Sequence, residues 1–72
     1  MRMKPDLEKL KRMYQENEEE LRKLDEIEEG YHQNPNLELE KRVRLLLTVE
    51  ETRQTRLRLK ERLQKQIDAL MK

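Results

Sequence analysis

Residues 37–72 read LELEKRVRLLLTVEETRQTRLRLKERLQKQIDALMK, thirty-six residues without a glycine or a proline. A run of that length predicts a single helix of about 55 Å at 1.5 Å per residue. Leu45, Val49, Thr52, Arg56, Leu59, Leu63, Ile67 and Leu70 recur at alternating four- and three-residue steps. At 100° per residue they stay within about 40° of one line, which is the geometry of a coiled-coil seam. Asn34-Pro35-Asn36 opens the run. Asn34 suits an N-cap with Pro35 at the first helical position, and Asn36 is the alternative cap. The second helix is therefore expected over about 35–72.

The chain ahead of Asn34 reads as a shorter arm that folds back onto that seam. Met1–Lys4 offers no strong cap and is expected to fray. Pro5, Asp6 and Glu8 suit a helix start, because proline tolerates the first turn and carboxylates there complement the helix dipole. Leu7, Leu10, Tyr14, Asn17, Leu21 and Leu24 then step by three and four, with Met13 and Ile27 widening the stripe. Gly30 is the expected stop, since glycine takes the left-handed C-terminal cap without strain. The first helix is placed at about 5–30 and the loop at 31–34, with Tyr31 folded back over the last turn.

A short connection between two amphipathic helices makes them antiparallel neighbours. With the loop centred near 33, facing residues sum to about 67. Leu24 then meets Val43, Leu21 meets Leu46, Asn17 lies near Val49 and Glu50, and Leu10 lies near Arg56 and Leu57. One layer, Asn17 with Thr52 and Arg56, is polar and can set the register. The second helix outruns the first, leaving Ile67, Leu70 and Met71 in an overhang.

Composition narrows the class. A third of the 72 residues are apolar and 46% are charged, with no Phe, Trp or Cys and one Gly. Periodic leucines with little Pro, Gly or Ser favour long solvated helices over disorder. No apolar run approaches the ~20 residues that span a bilayer, and no signal-peptide pattern opens the chain. A membrane partner is not expected, and a cytoplasmic location is the default. The net charge of +1 hides a strong asymmetry. Residues 1–12 carry five basic and two acidic groups, residues 16–40 two basic and ten acidic, and residues 53–72 seven basic and two acidic. A hairpin would carry +3 and +5 at its base and −8 at its tip.

The second helix is apolar on more than one side. Leu39, Val43, Leu46 and Leu57 form a second stripe about 120° from the seam, and Leu47 points further round. A lone two-helix hairpin has little core, so exposing these side chains would be wasteful. Each buried leucine contributes roughly 1.5–3 kcal/mol. Leu39, Val43, Leu46 and Leu57 are therefore the expected partner interface, for a second copy or another helical protein. In a homodimer the charge asymmetry favours hairpins pointing opposite ways, loops at opposite ends and acidic tip against basic base.

No residues are spaced for catalysis, and neither a cofactor nor a small-molecule substrate is expected. Serine and cysteine are absent, His32 is the only histidine, and Thr48, Thr52 and Thr55 have no base placed by spacing. Glu29-x-x-His32 has the spacing used in di-iron four-helix bundles. Gly30 sits inside it at the expected helix end and no further inward carboxylates accompany it, so His32 reads as a solvated loop residue. Glu16, Glu18, Glu19 and Glu20 fan around a helix rather than converge on a cation. They are expected to form i,i+4 pairs such as Glu18–Arg22 and Glu19–Lys23.

Arg44, Arg58, Arg62 and Lys65 share the face opposite the seam, with Arg53 and Lys60 flanking the second stripe. Such a face could contact phosphates, and a dimeric helical hairpin with it resembles the Rop-type RNA-binding proteins. The run Leu45-Leu46-Leu47-Thr48, then Thr52-Arg53, then Leu59 and Leu63 to Leu70, resembles the second arm of a coiled-coil hairpin in the bacterial flagellar assembly protein A family. That resemblance implies a charged two-helix insertion projecting from a β-rich scaffold, which these 72 residues do not encode.

The expectation is one all-α unit over 1–72, an antiparallel two-helix coiled-coil hairpin dimerising into a four-helix assembly. It would act as a non-enzymatic protein-interaction or oligomerisation module, an adaptor among the possibilities. The alternative is a nucleic-acid-binding hairpin dimer using Arg44, Arg58, Arg62 and Lys65.

Overall fold

A computed structural model describes residues 7–72, so the expected Pro5-Asp6 helix start and the fraying of Met1–Lys4 lie outside the described residues. Two helices, α1 (Leu7–Gln33) and α2 (Leu39–Met71), pack antiparallel as a hairpin. The molecule measures 55 × 22 × 15 Å. The all-α hairpin expected from the heptads is the fold observed.

Gly30 does not stop α1. The helix runs on to Gln33, and Gly30 has an ordinary helical φ with open space where a side chain would project. The reason is burial further along. Leu24, Glu28 and Tyr31 are half-buried at four- and three-residue steps, so continuing the helix keeps Tyr31 on the inner face. Pro35 supplies the stop, because its ring disfavours the helical conformation at Asn34.

The connection is Asn34–Glu38. Leu37 N–H donates to the Asn34 carbonyl at 3.3 Å, and Asn36 N–H donates to Asn34 Oδ1 at 3.0 Å. Pro35 and Asn36 are the central residues of this turn, and neither has a positive φ. That is the type I pattern with Pro at its favoured position and Asn leading. Asn34 thus closes a turn rather than capping α2. The residue before α2 is Glu38, in extended conformation and without a side-chain cap bond. Arg42 compensates: its Nη2 donates to the Asn34 and Leu37 carbonyls at 2.8 and 3.3 Å, tying the turn to the first turns of α2.

A longer α1 and a later loop move the midpoint of the hairpin from 33 to about 36. Facing residues consequently sum to about 73, not 67. Leu10 packs with Leu63, and Asn17 meets Arg56. The slip of about six residues also takes Ile67 out of the expected overhang, at only 7% exposed, while Leu70 and Met71 stay exposed. Leu10, Leu63 and Ile67 form the buried cluster, with Leu7, Tyr14 and Leu59 packed around it. This cluster sits at the base, far from the loop. Val49 is buried separately toward the tip.

Between them lies the polar layer. Asn17 is 2% exposed, and its Nδ2 donates to the Arg56 carbonyl at 2.8 Å while Arg56 Nη1 donates to Asn17 Oδ1 at 3.3 Å. Thr52 is not part of it: it is exposed, and its hydroxyl donates back to the Thr48 carbonyl at 3.0 Å.

Candidate interaction surface

Six large apolar side chains of α2 face outward, Leu39, Val43, Leu47, Leu57, Leu70 and Met71, and the first three lie together at its loop end. Leu39 is 72% exposed, Val43 48% and Leu47 59%. Their i, i+4, i+8 spacing makes a single ridge over the first two turns of α2. Together with Glu40 and Arg44 they line one shallow, almost wholly apolar depression. Glu40 and Arg44 pair at 3.3 Å along its edge, both well exposed.

The sequence-derived interface is brought together only in part. Leu39 and Val43 lie in the ridge. Leu46 is half-buried, because at 100° per residue it falls between the ridge and the seam. Leu57 is partly exposed but lies about 21 Å further along the axis than Val43. It lines a different groove with Tyr14, Lys60 and Gln64. Leu47 completes the ridge and is the member that the expected stripe leaves out. Its signal is the 39/43/47 spacing, hidden by an apolar run (Leu45–Leu47) that places one leucine on each of three faces.

The basic face is smaller than composition suggests. Arg53 spends its charge within the hairpin, on Asp25 at 3.0 Å and Glu28 at 2.7 Å across the interface and Glu50 at 2.8 Å on its own helix. The hydrogen bond to Glu28, reinforced by Glu50, raises the Arg53 guanidinium above its ordinary value. Lys60 Nζ lies 3.0 Å from Glu18 Oε1 and 6.0 Å from the Tyr14 ring centre. The hydrogen bond to Glu18, with smaller contributions from that carboxylate's charge and from Tyr14, raises the Lys60 pKa. Glu50 is lowered by the Gln54 amide first and then by Arg53. Arg58, Arg62 and Lys65 are exposed and make no ion pair with a described residue.

The acidic run behaves as solvated charge, with different partners from those expected. Glu19 pairs with Arg22 and Glu20 with Lys23 (3.5 Å), both at i,i+3. Glu18 is taken by Lys60. Among the described residues no three carboxylates or histidines converge as a metal site. The hydroxyls of Thr48, Thr52 and Thr55 all donate to carbonyls four residues earlier, at 3.0–3.1 Å. No described helix is long and apolar enough to cross a membrane. Comparison with protein-family models, curated proteins and solved structures returns no match.

Proposed function

We propose that this chain is a non-enzymatic protein-interaction and oligomerisation module, with Leu39, Val43 and Leu47 as its contact ridge. The observation that carries this is the exposure of three large apolar side chains in one line. Toward the base the same hairpin buries Leu10, Leu63 and Ile67 between its helices. Scattered apolar residues on a surface need no explanation, but a contiguous row does. The natural occupant is a helix, because a straight ridge on one helix fits a groove on another. A second copy, pointing the opposite way, or another helical protein would supply it.

The test is Leu39→Glu combined with Leu47→Glu. Both positions are solvent-facing, so the hairpin should keep its circular dichroism while losing association in sedimentation or pull-down. Unchanged association in the folded variant would remove the ridge from the interface.

The second class, phosphate binding, is favoured by one observation: Arg58, Arg62 and Lys65 are basic, exposed and without an ion pair to another described residue. Binding to structured RNA by that face should weaken steeply between about 50 and 200 mM salt. Association through the ridge should not.

A further inference from the structure

We infer that the outer edge of α2 on the base side of the polar layer, Arg58, Arg62 and Lys65 continuing to Lys72, binds the phosphate backbone of a nucleic-acid duplex. This rests on the phosphate-binding reading of that face. It specifies the ligand and the end of the molecule that holds it.

The Asn17–Arg56 layer divides the described cations into two kinds. On its tip side Arg22, Lys23, Arg44 and Arg53 pair with carboxylates and Arg42 with two carbonyls, leaving Lys41. On its base side Lys60 is paired, with Glu18. The other described cations there, Lys9, Lys11 and Arg12 on α1 and Arg58, Arg62, Lys65 and Lys72 on α2, are exposed. None of these makes an ion pair or side-chain hydrogen bond with a described residue. Residues 7–16 and 57–72 hold eight basic and four acidic groups, and residues 18–55 hold six basic and eleven acidic. The base therefore carries +4 with most of its cations free, and the tip −5 with most of its cations spent. A polyanion is drawn to the one and repelled by the other.

Arg58, Arg62, Lys65 and Lys72 stay within about 40° of one line at 100° per residue, on the side of α2 turned away from Leu63 and Ile67. They span about 21 Å. Ala69 is the apolar residue among them, and Glu61 and Asp68 border one side. That composition decides the class of partner. A protein interface has an apolar, charge-poor centre, and a helix on an anionic bilayer holds by burying apolar side chains; the stripe offers neither. Single strands are held by stacking on aromatic rings, whereas Tyr14 and Tyr31 are half-buried and lie on α1. A duplex needs only donors to its phosphates, and its interfaces are polar and strongly positive. Arg58 and Lys65 stand about 10 Å apart along the axis. Laid across a groove of about 12 Å, α2 reaches phosphates on both rims. The ligand is the duplex backbone, whether of DNA or of RNA.

Fluorescence anisotropy with labelled DNA and RNA duplexes of mixed sequence, and with their single strands, is the test. The hairpin should bind a duplex several-fold tighter than either single strand, with a log–log salt slope of about −3 on DNA for three or four phosphate contacts. Binding to either duplex supports the inference, and the tighter one names the source. Arg58→Gln with Arg62→Gln and Lys65→Gln should abolish binding while circular dichroism stays unchanged, since all three side chains are exposed. Arg22→Gln with Lys23→Gln and Lys41→Gln removes the same charge from the tip side and should leave most of the affinity. Equal losses in the two triple variants would mean a response to net charge alone and overturn the site. Single strands bound as tightly as duplexes overturn the duplex and leave the phosphate-binding reading in place. A preference for phosphatidylserine vesicles over duplexes overturns the choice of partner. No binding to any nucleic acid at about 50 mM salt overturns this inference and the phosphate-binding reading together.

Discussion

Asn17 is the residue on which the hairpin interface turns. It is the most buried polar side chain described, and both ends of its amide are satisfied by Arg56. Removing the amide leaves a hole and an unpaired guanidinium edge. Asn17→Ala should therefore cost about 1–3 kcal/mol, read as a lower urea midpoint. Asn17→Leu should do the opposite, joining the base cluster to Val49 and adding roughly 1 kcal/mol or more. The same change deletes the feature that tells one register from another, as buried polar residues at seam positions do. Amide exchange in that variant should be less uniform even as its midpoint rises. A midpoint unmoved by either change would contradict the burial of Asn17. This layer is legible from the sequence, since Asn17 and Arg56 occupy otherwise apolar steps. Thr52 is not, because spacing cannot tell a threonine facing the partner helix from one bonded to its own backbone.

At the scale of the element, the loop is where reasoning from residues falls short. The seam of α2 is legible through its periodicity, and Val49, Leu63 and Ile67 are all buried. The register is not, because it depends on the loop midpoint, and a glycine permits a helix end without compelling one. Gly30 remains inside α1 at the usual cost of about 1 kcal/mol relative to alanine. An added Cβ would meet nothing within 4 Å and the φ is not positive, so Gly30→Ala should recover that amount. The melting temperature should rise by about 4–8 °C, the scale for a domain of this size. A fall would mean that the helix needs glycine there. The Arg53 cluster makes a complementary case. It clamps α2 to Asp25 and Glu28 in the tip half, where the buried apolar side chains are fewer. Arg53→Met should cost about 1 kcal/mol, the upper range for solvent-facing pairs. The loss should appear as faster exchange around Leu21–Leu24 and Leu45–Val49, leaving Leu10 and Leu63 protected. No sequence pattern flags this clamp, because its acids and its base come from different helices and meet only in the observed register.

For the whole molecule, charge sets the pH limits. Glu50 lies below its ordinary value of 4.5, so its contribution is present above that pH and disappears as the pH falls through the lowered value. Lys60 lies above 10.5, so its contribution is present below that pH and disappears as the pH rises through the raised value. Between about 5 and 10 neither group changes charge, and their contributions to stability should be flat. Glu50→Gln should soften the acid limb of a melting-temperature profile and Lys60→Met the alkaline limb; unchanged limbs would discount these contacts. The position of the base cluster has a mechanical consequence. Leu10, Leu63 and Ile67 hold the open end of the hairpin, while the loop closes the other. Grip the molecule at Leu7 and Lys72 and pull, and the load falls first on the tightest part. The force needed should peak at the outset, after which the tip half peels open with little resistance. Tension applied at those points would thus be met by a brittle latch rather than a gradual spring, and an optical-trap trace would show a single early rip.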